Sequence, residues 1–369
     1  MRVVSFLYNR QNMKRLFFLF MLFSVVISCK TNGVSEEKSK NTIQHQLKYP
    51  HQLLDTFSNA PMVFYNVENL FDTIDDPEKK DDEFLPSAKK KWNAKRYQEK
   101  LVKLAQVITR IDDKNPIFIG LAEVENRFVV KDLLKTGRLQ QTKYRIAHFE
   151  SPDVRGIDVA LAFDHTKFQL TKKEALNIEI EGKSDFKTRD ILYVNGFLFD
   201  STEVHLFVNH WSSRRGGQQE SEYKRLAAAR KLKEKSDEIL AENSNANIII
   251  MGDFNDYPTN SSIVDVLGAG PQNSDKSFVN LLLPYHLMGA GSYNYKGEWG
   301  ALDQFIVSRS LLDNRGLEIQ NGQALIMYDE DFLYTNKDGS KTPNRTYGGN
   351  NYYGGYSDHL AIYSILTMQ

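Results

Sequence analysis

Apolar runs in this sequence repeatedly end, or begin, on side chains that can bind a cation or move a proton. Met62–Tyr65 leads into Asn66-Val67-Glu68-Asn69, and Ile117–Ala122 into Glu123-Val124-Glu125-Asn126. Val204–Val208 leads into Asn209-His210-Trp211, and Ile248–Met251 into Gly252-Asp253-Phe254-Asn255-Asp256. Asp303 precedes Phe305–Val307, and Asp358-His359 precedes Leu360–Ile365. Carboxylates and amide oxygens are hard ligands, so a cluster of this make-up suits Mg²⁺ or Mn²⁺. Zinc is disfavoured, because the single cysteine, Cys29, lies far from these segments and histidine is sparse.

Taken one at a time, Asn and Asp after a strand are ordinary turn formers. Asn69, Glu125 and Asp256 are read as turn or supporting residues, and His205, within its strand, as structural. What raises the set above that reading is the repeated delivery of polar groups from buried strands to one edge. The elements that must do the positioning are legible. The seven apolar runs, with Ile157–Phe163 among them, have strand length and β-rich composition. Tyr97, Leu101, Leu104, Ile108 and Ile111 recur at three- and four-residue steps, which predicts a helix, and Glu222 to Leu240 is helix-like. Strands interspersed with helices predict a layered α/β domain. Residues 335–357 form a long Gly/Asn/Tyr loop, of a length that is usually functional or mobile.

Composition narrows the classes. The chain has 369 residues, with 47 Lys+Arg against 47 Asp+Glu and 41% hydrophobic residues. Those values exclude collagen-like, disordered and multi-span membrane proteins. A neutral balance argues against coating nucleic acid through bulk charge, but not against an enzyme that handles one phosphate at a time.

The order Asn66-Val67-Glu68-Asn69-Leu70, Gly120 to Asn126, Asn209-His210-Trp211, Gly252-Asp253-Phe254-Asn255, Leu302-Asp303 and Ser357-Asp358-His359 resembles the endonuclease/exonuclease/phosphatase superfamily, whose members include DNase I-like nucleases. The resemblance covers residue 60 to the C-terminus. It implies a four-layer α/β sandwich, two mostly antiparallel sheets flanked by helices, and phosphoester hydrolysis with Mg²⁺ or Mn²⁺. It further implies Glu123 as the main metal carboxylate, with Asn66 and Asp358 beside it, and Asp253 and Asn255 as the pair that handles the attacking water. His359, held by Asp303, would contact phosphate, and His210, oriented by Asp158, would be the second histidine. Arg155, Arg214 and Arg215 are the candidates for gripping substrate phosphates. The expected substrate is a phosphodiester, nucleic acid among the choices. A phosphomonoester or a sphingomyelin-type head group is the alternative, and a non-catalytic ligand-binding lipoprotein is the remaining class. No protein partner is implied.

Lys14 and Arg15 precede Leu16 to Ile27, an apolar run of signal-peptide length and too short to span a bilayer. Val26-Ile27-Ser28-Cys29 resembles a bacterial lipobox. The expected organisation is a signal peptide over 1–28 (with Met13 as an alternative start), a lipidated Cys29 and polar tether over 29–58, and the folded domain over 59–369. That places the protein in the cell envelope, anchored to a membrane through Cys29.

Overall fold

The computed structural model describes residues 59–199 and 201–368, so the expected signal peptide, Cys29 and tether lie outside the described residues. Two sheets carry the fold. The first runs β14 (Leu317–Ile326), β19 (Ile362–Met368), β1 (Ala60–Leu70), β2 (Phe118–Val124), β4 (Asp158–Asp164) and β3 (Tyr144–His148). The second runs β5 (Phe168–Leu176), β6 (Ile191–Leu198), β7 (Thr202–His210), β8 (Asn247–Asp253), β13 (Asp303–Ser308), β10 (Phe278–Asn280) and β9 (Ala269–Gly270). Three short hairpins complete the strands: β11–β12 (Tyr293–Tyr295, Glu298–Gly300), β15–β16 (Leu333–Thr335, Lys341–Pro343) and β17–β18 (Tyr347–Gly348, Asn351–Tyr352).

Most neighbouring strands are antiparallel, but each sheet holds a parallel pair at its centre. In the first it is β1 and β2, joined through helix α1 (Ala94–Ile108). Helix α2 (Arg127–Leu134) follows β2. In the second sheet the central parallel pair is β7 and β8, joined through helix α3 (Gln218–Glu242), and the edge pair β9 and β10 is parallel as well. Parallel neighbours need such a crossover, and it covers one sheet face with a helix while the other face meets the opposite sheet. β2 (FIGLAEV) and β8 (NIIIMGD) are accordingly almost wholly apolar. Ala227, Ala228, Ala229, Leu232 and Ile239 of α3 pack with Phe207, Ile248 and Ile250 in one buried cluster. Each of the seven apolar runs coincides with a strand, although Ile117, Ile157, Leu360 and Ala361 fall just before theirs. β3, β5, β6 and β14 are additional. The 335–357 segment is no open loop, since β16, β17 and β18 break it up.

Two glycines set how closely strands approach. A Cβ on Gly252 would lie 2.5 Å from both Cβ and the carbonyl oxygen of Asn209 on the neighbouring strand, atoms that cannot move without the backbone. A Cβ on Gly120 would lie 2.5 Å from Met251 Sδ, the flexible end of a side chain in the facing sheet. Overpacking against backbone is harder to relieve than overpacking against a mobile side chain. Gly252→Ala should therefore lower unfolding free energy by about 1–3 kcal/mol, and Gly120→Ala by less. Urea denaturation of the two variants measures this, and equal losses would mean the glycines do not differ as described.

Candidate active site

The four carboxyl ends of the two central parallel pairs deliver the core of the site, and bulges aim it. β1 and β2 pair at Asn66↔Ala122 and again at Leu70↔Val124, leaving Val67, Glu68 and Asn69 opposite Glu123 alone. Glu68, Asn69 and Glu123 all have φ between 50° and 65°, the left-handed region uncommon outside glycine. Bulges next to active sites commonly re-aim a side chain. Here the bulge turns Asn69 N–H onto Glu123 Oε2 at 2.9 Å and Glu68 N–H onto Asn66 Oδ1 at 3.1 Å. On the second sheet, Asn255 also has positive φ (50°) and donates its N–H to Asp253 Oδ1 at 2.9 Å. Its side-chain amide is anchored on the Trp211 carbonyl at 3.1 Å.

Asn66 joins the sheets, its Nδ2 lying 3.0 Å from Asp253 Oδ2 and 3.5 Å from Glu123 Oε1. His210 Nε2 lies 3.7 Å from Asp253 Oδ2 and 3.8 Å from Glu123 Oε1. His359 Nε2 is 3.9 Å from Asp253 Oδ2, while its Nδ1 is 2.7 Å from Asp303 Oδ2. Ser292 Oγ donates to the same oxygen of Asp303, and Ser357 Oγ accepts from His359 N–H.

This arrangement drives the two histidines apart. Burial favours neutral imidazole in both. At His359 the adjacent Asp303, with Asp253 and Asp358 behind it, overrides burial and lifts the group to about 10, so it is cationic at neutral pH. At His210 burial is joined by the positive charges of Arg189, Arg155 and His359, and the group falls well below its usual value and stays neutral. Burial lifts Asp253 to about 6, with Asp303 adding to the rise and His359 opposing it. Glu123 is raised as well, through burial and then the charge of Asp358.

The donor set fits a hard divalent cation. Glu123 is a half-buried carboxylate that forms no ion pair with Lys or Arg among the described residues, and its charged neighbours within reach include other carboxylates. Two of the expected ligands stand differently from the sequence reading. Asn66 turns its NH₂, not its oxygen, toward Glu123 and Asp253, because Oδ1 is taken by Glu68 N–H. It holds two carboxylates together as a donor. Asp358 is engaged by Arg345, with Nη2 2.9 Å from Oδ2, and reaches Glu123 only through its field. Asp253, Asp303 and His359 also offer ligand atoms within 4.8 Å of one another, but their own hydrogen bonds already use several of these atoms.

Asp158 is a further correction. Its Oδ2 lies 3.1 Å from His148 Nε2 and its Oδ1 accepts from Ser151 N–H, so it orients His148 and not His210. The cause is local, since His148 and Asp158 sit on the antiparallel neighbours β3 and β4. His210 Nδ1 has no hydrogen-bond partner among the described residues. Arg214 is occupied in holding the Asp253–Asp256 turn: it donates to the Asn255 carbonyl (2.7 Å), Asp256 (3.3 Å) and Asn260 (2.9 Å). Asp256 is a buried hub that also pairs with Arg225 at 2.7 Å. Arg215 is exposed in the turn beyond it. Arg155 is half-exposed, lies near Asp153 and projects its charge onto Glu123 and His210.

Sequence reading missed four participants. Buried Arg189 clamps the end of β7, donating to the His210 and Trp211 carbonyls (3.1 and 2.6 Å) and pairing with Asp153 at 2.9 Å. Its signal was an arginine at the head of an apolar strand, Arg189-Asp190-Ile191. Glu68 accepts from the Thr346 and Tyr347 N–H groups and so ties the 335–357 segment to the site. Tyr293 packs on His359 with ring centroids 4.7 Å apart, and Arg345 pairs with Asp358. Neither carries a sequence signal.

The Asp303–His359 pair makes a signed prediction. Without the carboxylate, burial dominates and His359 should lose its proton at lower pH. In Asp303→Asn, ¹⁵N spectra of the histidine rings should show His359 titrating well below about 10, with His210 still neutral. An unchanged His359 titration would show that the pair is not coupled.

Comparison with known proteins identifies the family and the fold. The sequence matches the profile described as Endonuclease/Exonuclease/phosphatase family over residues 61–368. No curated protein matches the sequence. Among solved structures, truncated TDP2 from Caenorhabditis elegans is similar, with TM-score 0.51, 16% identity, and coverage of 84% of this chain and 98% of that one. The human Nocturnin catalytic domain with bound sulfate gives TM-score 0.50, 17% identity and coverage of 86% and 97%. A mannosyl-6-phosphatase from Bacteroides thetaiotaomicron gives TM-score 0.53, 15% identity and coverage of 84% and 100%. At these identities the likeness concerns the fold. The profile match spans most of the sequence, and the chain belongs to the endonuclease/exonuclease/phosphatase family.

Proposed function

We propose that the protein is a divalent-metal-dependent phosphoesterase that hydrolyses phosphodiester bonds in the manner of a nuclease, with Mg²⁺ or Mn²⁺ as the ion. The observation that carries this reading is the meeting at Asp253 of a carboxylate lifted to about 6, the Asn66 amide at 3.0 Å and the cationic His359 at 3.9 Å, beside the carboxylate of Glu123, which has no Lys or Arg partner among the described residues. Glu123, with Asp358 near it, would hold the cation. Once bound, the ion would neutralise charge developing on the phosphoryl oxygens and fix their orientation.

The chain's own groups account for the rest. Asp253, ionised at neutral pH yet basic enough to accept a proton, takes one from the attacking water as the new P–O bond forms. Asn66 and the Asn255 N–H hold its two oxygens in place. His359 donates a charge-assisted hydrogen bond to a phosphoryl oxygen as the bond to the leaving oxygen breaks, an interaction strongest in the transition state. The leaving oxygen takes up a proton from solvent, and Asp253 later returns its own to solvent. Arg155 is the half-exposed guanidinium placed to meet substrate. A second reading, a phosphomonoesterase or a sphingomyelin-type head-group phosphodiesterase, is favoured by the balanced net charge, which supplies no bulk attraction to long nucleic acid.

A substrate panel with Mg²⁺ decides between them, using plasmid DNA, RNA, bis-p-nitrophenyl phosphate, p-nitrophenyl phosphate and sphingomyelin. Diester cleavage should dominate and vanish in EDTA. Asp253→Asn should lower turnover by roughly 10²–10⁴-fold with KM little changed. Glu123→Gln should lose activity that raised Mg²⁺ restores only in part. Full activity in EDTA would end the metal-dependent reading, and preference for the monoester would transfer the assignment to the second.

We further propose that Cys29 is lipidated and tethers the domain to a membrane in the cell envelope. In a bacterial host, wild type should fractionate with membranes and Cys29→Ser should not. A mature N-terminus that mass spectrometry finds unmodified and downstream of Cys29 would refute the anchor.

A further inference from the structure

Of the arginines around the site, Arg189 and Arg214 spend their donors on neighbouring carbonyls and side chains. Arg345 does not. It is exposed, and its Nη2 donates to Asp358 Oδ2 at 2.9 Å. Its Nε lies 3.9 Å from Glu68 Oε1, beyond hydrogen-bond reach, and among the described residues Nε and Nη1 donate to nothing.

The backbone that carries Arg345 is fixed without help from its guanidinium. Thr346 and Tyr347 donate their N–H groups to Glu68 at 2.6 and 3.0 Å. Lys100, 2% exposed on α1, donates from Nζ to Thr346 Oγ1 and to the Tyr356 carbonyl, both at 2.6 Å. Gly355 N–H donates to the Arg345 carbonyl at 3.1 Å, and a Cβ on Gly355 would lie 2.0 Å from the Asn344 carbonyl oxygen. A buried lysine needs opposite charge nearby, and Glu68 and Asp358 supply it. Two buried ionisable groups therefore hold one turn, and the side chain that this turn presents to solvent is Arg345. Its pair with Asp358 does not explain such a support, because an ion pair open to water stabilises little. The charge of Arg345 reaches Tyr293, the ring packed on His359, whereas that of Arg155 reaches Glu123 and His210.

We infer that Arg345 is a substrate-binding residue of this site, whose guanidinium exchanges Asp358 for a phosphoryl oxygen when substrate enters beside His359. The inference rests on the phosphoesterase reading and adds a residue to it. A guanidinium presents its N–H donors in a planar fork that matches phosphate. A cation held by Glu123 with Asp358 near it would compete with Arg345 for that carboxylate, and so favour the exchange.

The probe is inorganic phosphate, titrated by calorimetry into the full chain in saturating Mg²⁺. Arg345→Gln should weaken phosphate binding by about tenfold. Arg345→Lys should weaken it less, since it keeps the charge and loses the fork, and it carries the test should Arg345→Gln fail to fold. Without phosphate, the Mg²⁺ affinity of Arg345→Gln should be equal or higher, because a positive charge beside Asp358 is gone. A purely structural role would move both affinities the same way, since a displaced Asp358 would weaken Mg²⁺ and phosphate together. Lys95→Gln removes another exposed charge, on α1, and should leave phosphate binding unchanged. No phosphate binding by wild type, undiminished binding in the Arg345 variants, an equal loss in Lys95→Gln, or a joint loss of Mg²⁺ and phosphate affinity overturns the assignment. Phosphate binding that depends on Arg345 in a chain that cleaves no phosphoester would leave it standing and overturn the catalytic reading alone.

Discussion

Carboxylates crowd together out of water where the edges of the two sheets meet, and most other features of the site follow from making that burial tolerable. Glu123 from β2 and Asp253 from β8 share the Asn66 amide, which donates to both. Each carboxylate also takes a backbone N–H from a residue in the left-handed region, Asn69 or Asn255. Backbone strain of this kind survives only where the surroundings over-determine it. Here the central parallel pairs do so, because their strands are buried on both faces and cannot slide. The remaining negative charge is met by His359 on one side and by Arg189 and Arg155 on the other; Asp303 lifts His359 against its burial, while burial and then the arginine charges lower His210.

Asymmetry between the histidines gives the site its chemistry. A cationic imidazole next to a carboxylate of raised basicity places a donor and an acceptor of protons in one groove. Environments that push similar groups apart are a general means of assigning acid and base roles. The same logic explains the surrounding shell. Arg189 never faces the groove as a free guanidinium, since its nitrogens are used on Asp153 and two carbonyls, yet its charge adds to the burial that holds His210 below its usual value. Glu68 uses its carboxylate on two backbone N–H groups, and so joins the Gly/Asn/Tyr segment to the bulge that aims Glu123.

What could be read from the sequence was whatever a strand makes periodic. Asn66, Glu123, His210, Asp253, Asp303 and His359 stood out because each lies at the boundary of an apolar run, and a buried strand must end at a sheet edge. The structure brings these six together. Contacts decided by tertiary packing were not readable. Asp158 has the same strand-boundary signature, but its nearest histidine is His148 on the adjoining strand, and nothing in the spacing favours His148 over His210. Arg214 looked like a phosphate grip because it is a basic residue in a glycine-rich turn, whereas the turn itself consumes its donors. Asn66 lies among these residues, and which end of its amide faces the carboxylates depends on the bulge at Glu68, which spacing does not reveal. Arg345 and Tyr293 lie in segments with no regular pattern and reach the site only through the final fold.

In the function proposed above, the bulged end of β2 would supply the carboxylate that holds the cation, with Asn66 as a donor beside it. Anomalous diffraction from crystals soaked in Mn²⁺ tests this directly. The account predicts a peak at bonding distance from the Glu123 carboxylate, with the Asn66 NH₂ still turned to Asp253. A peak enclosed by Asp253, Asp303 and His359, with none at Glu123, would contradict it.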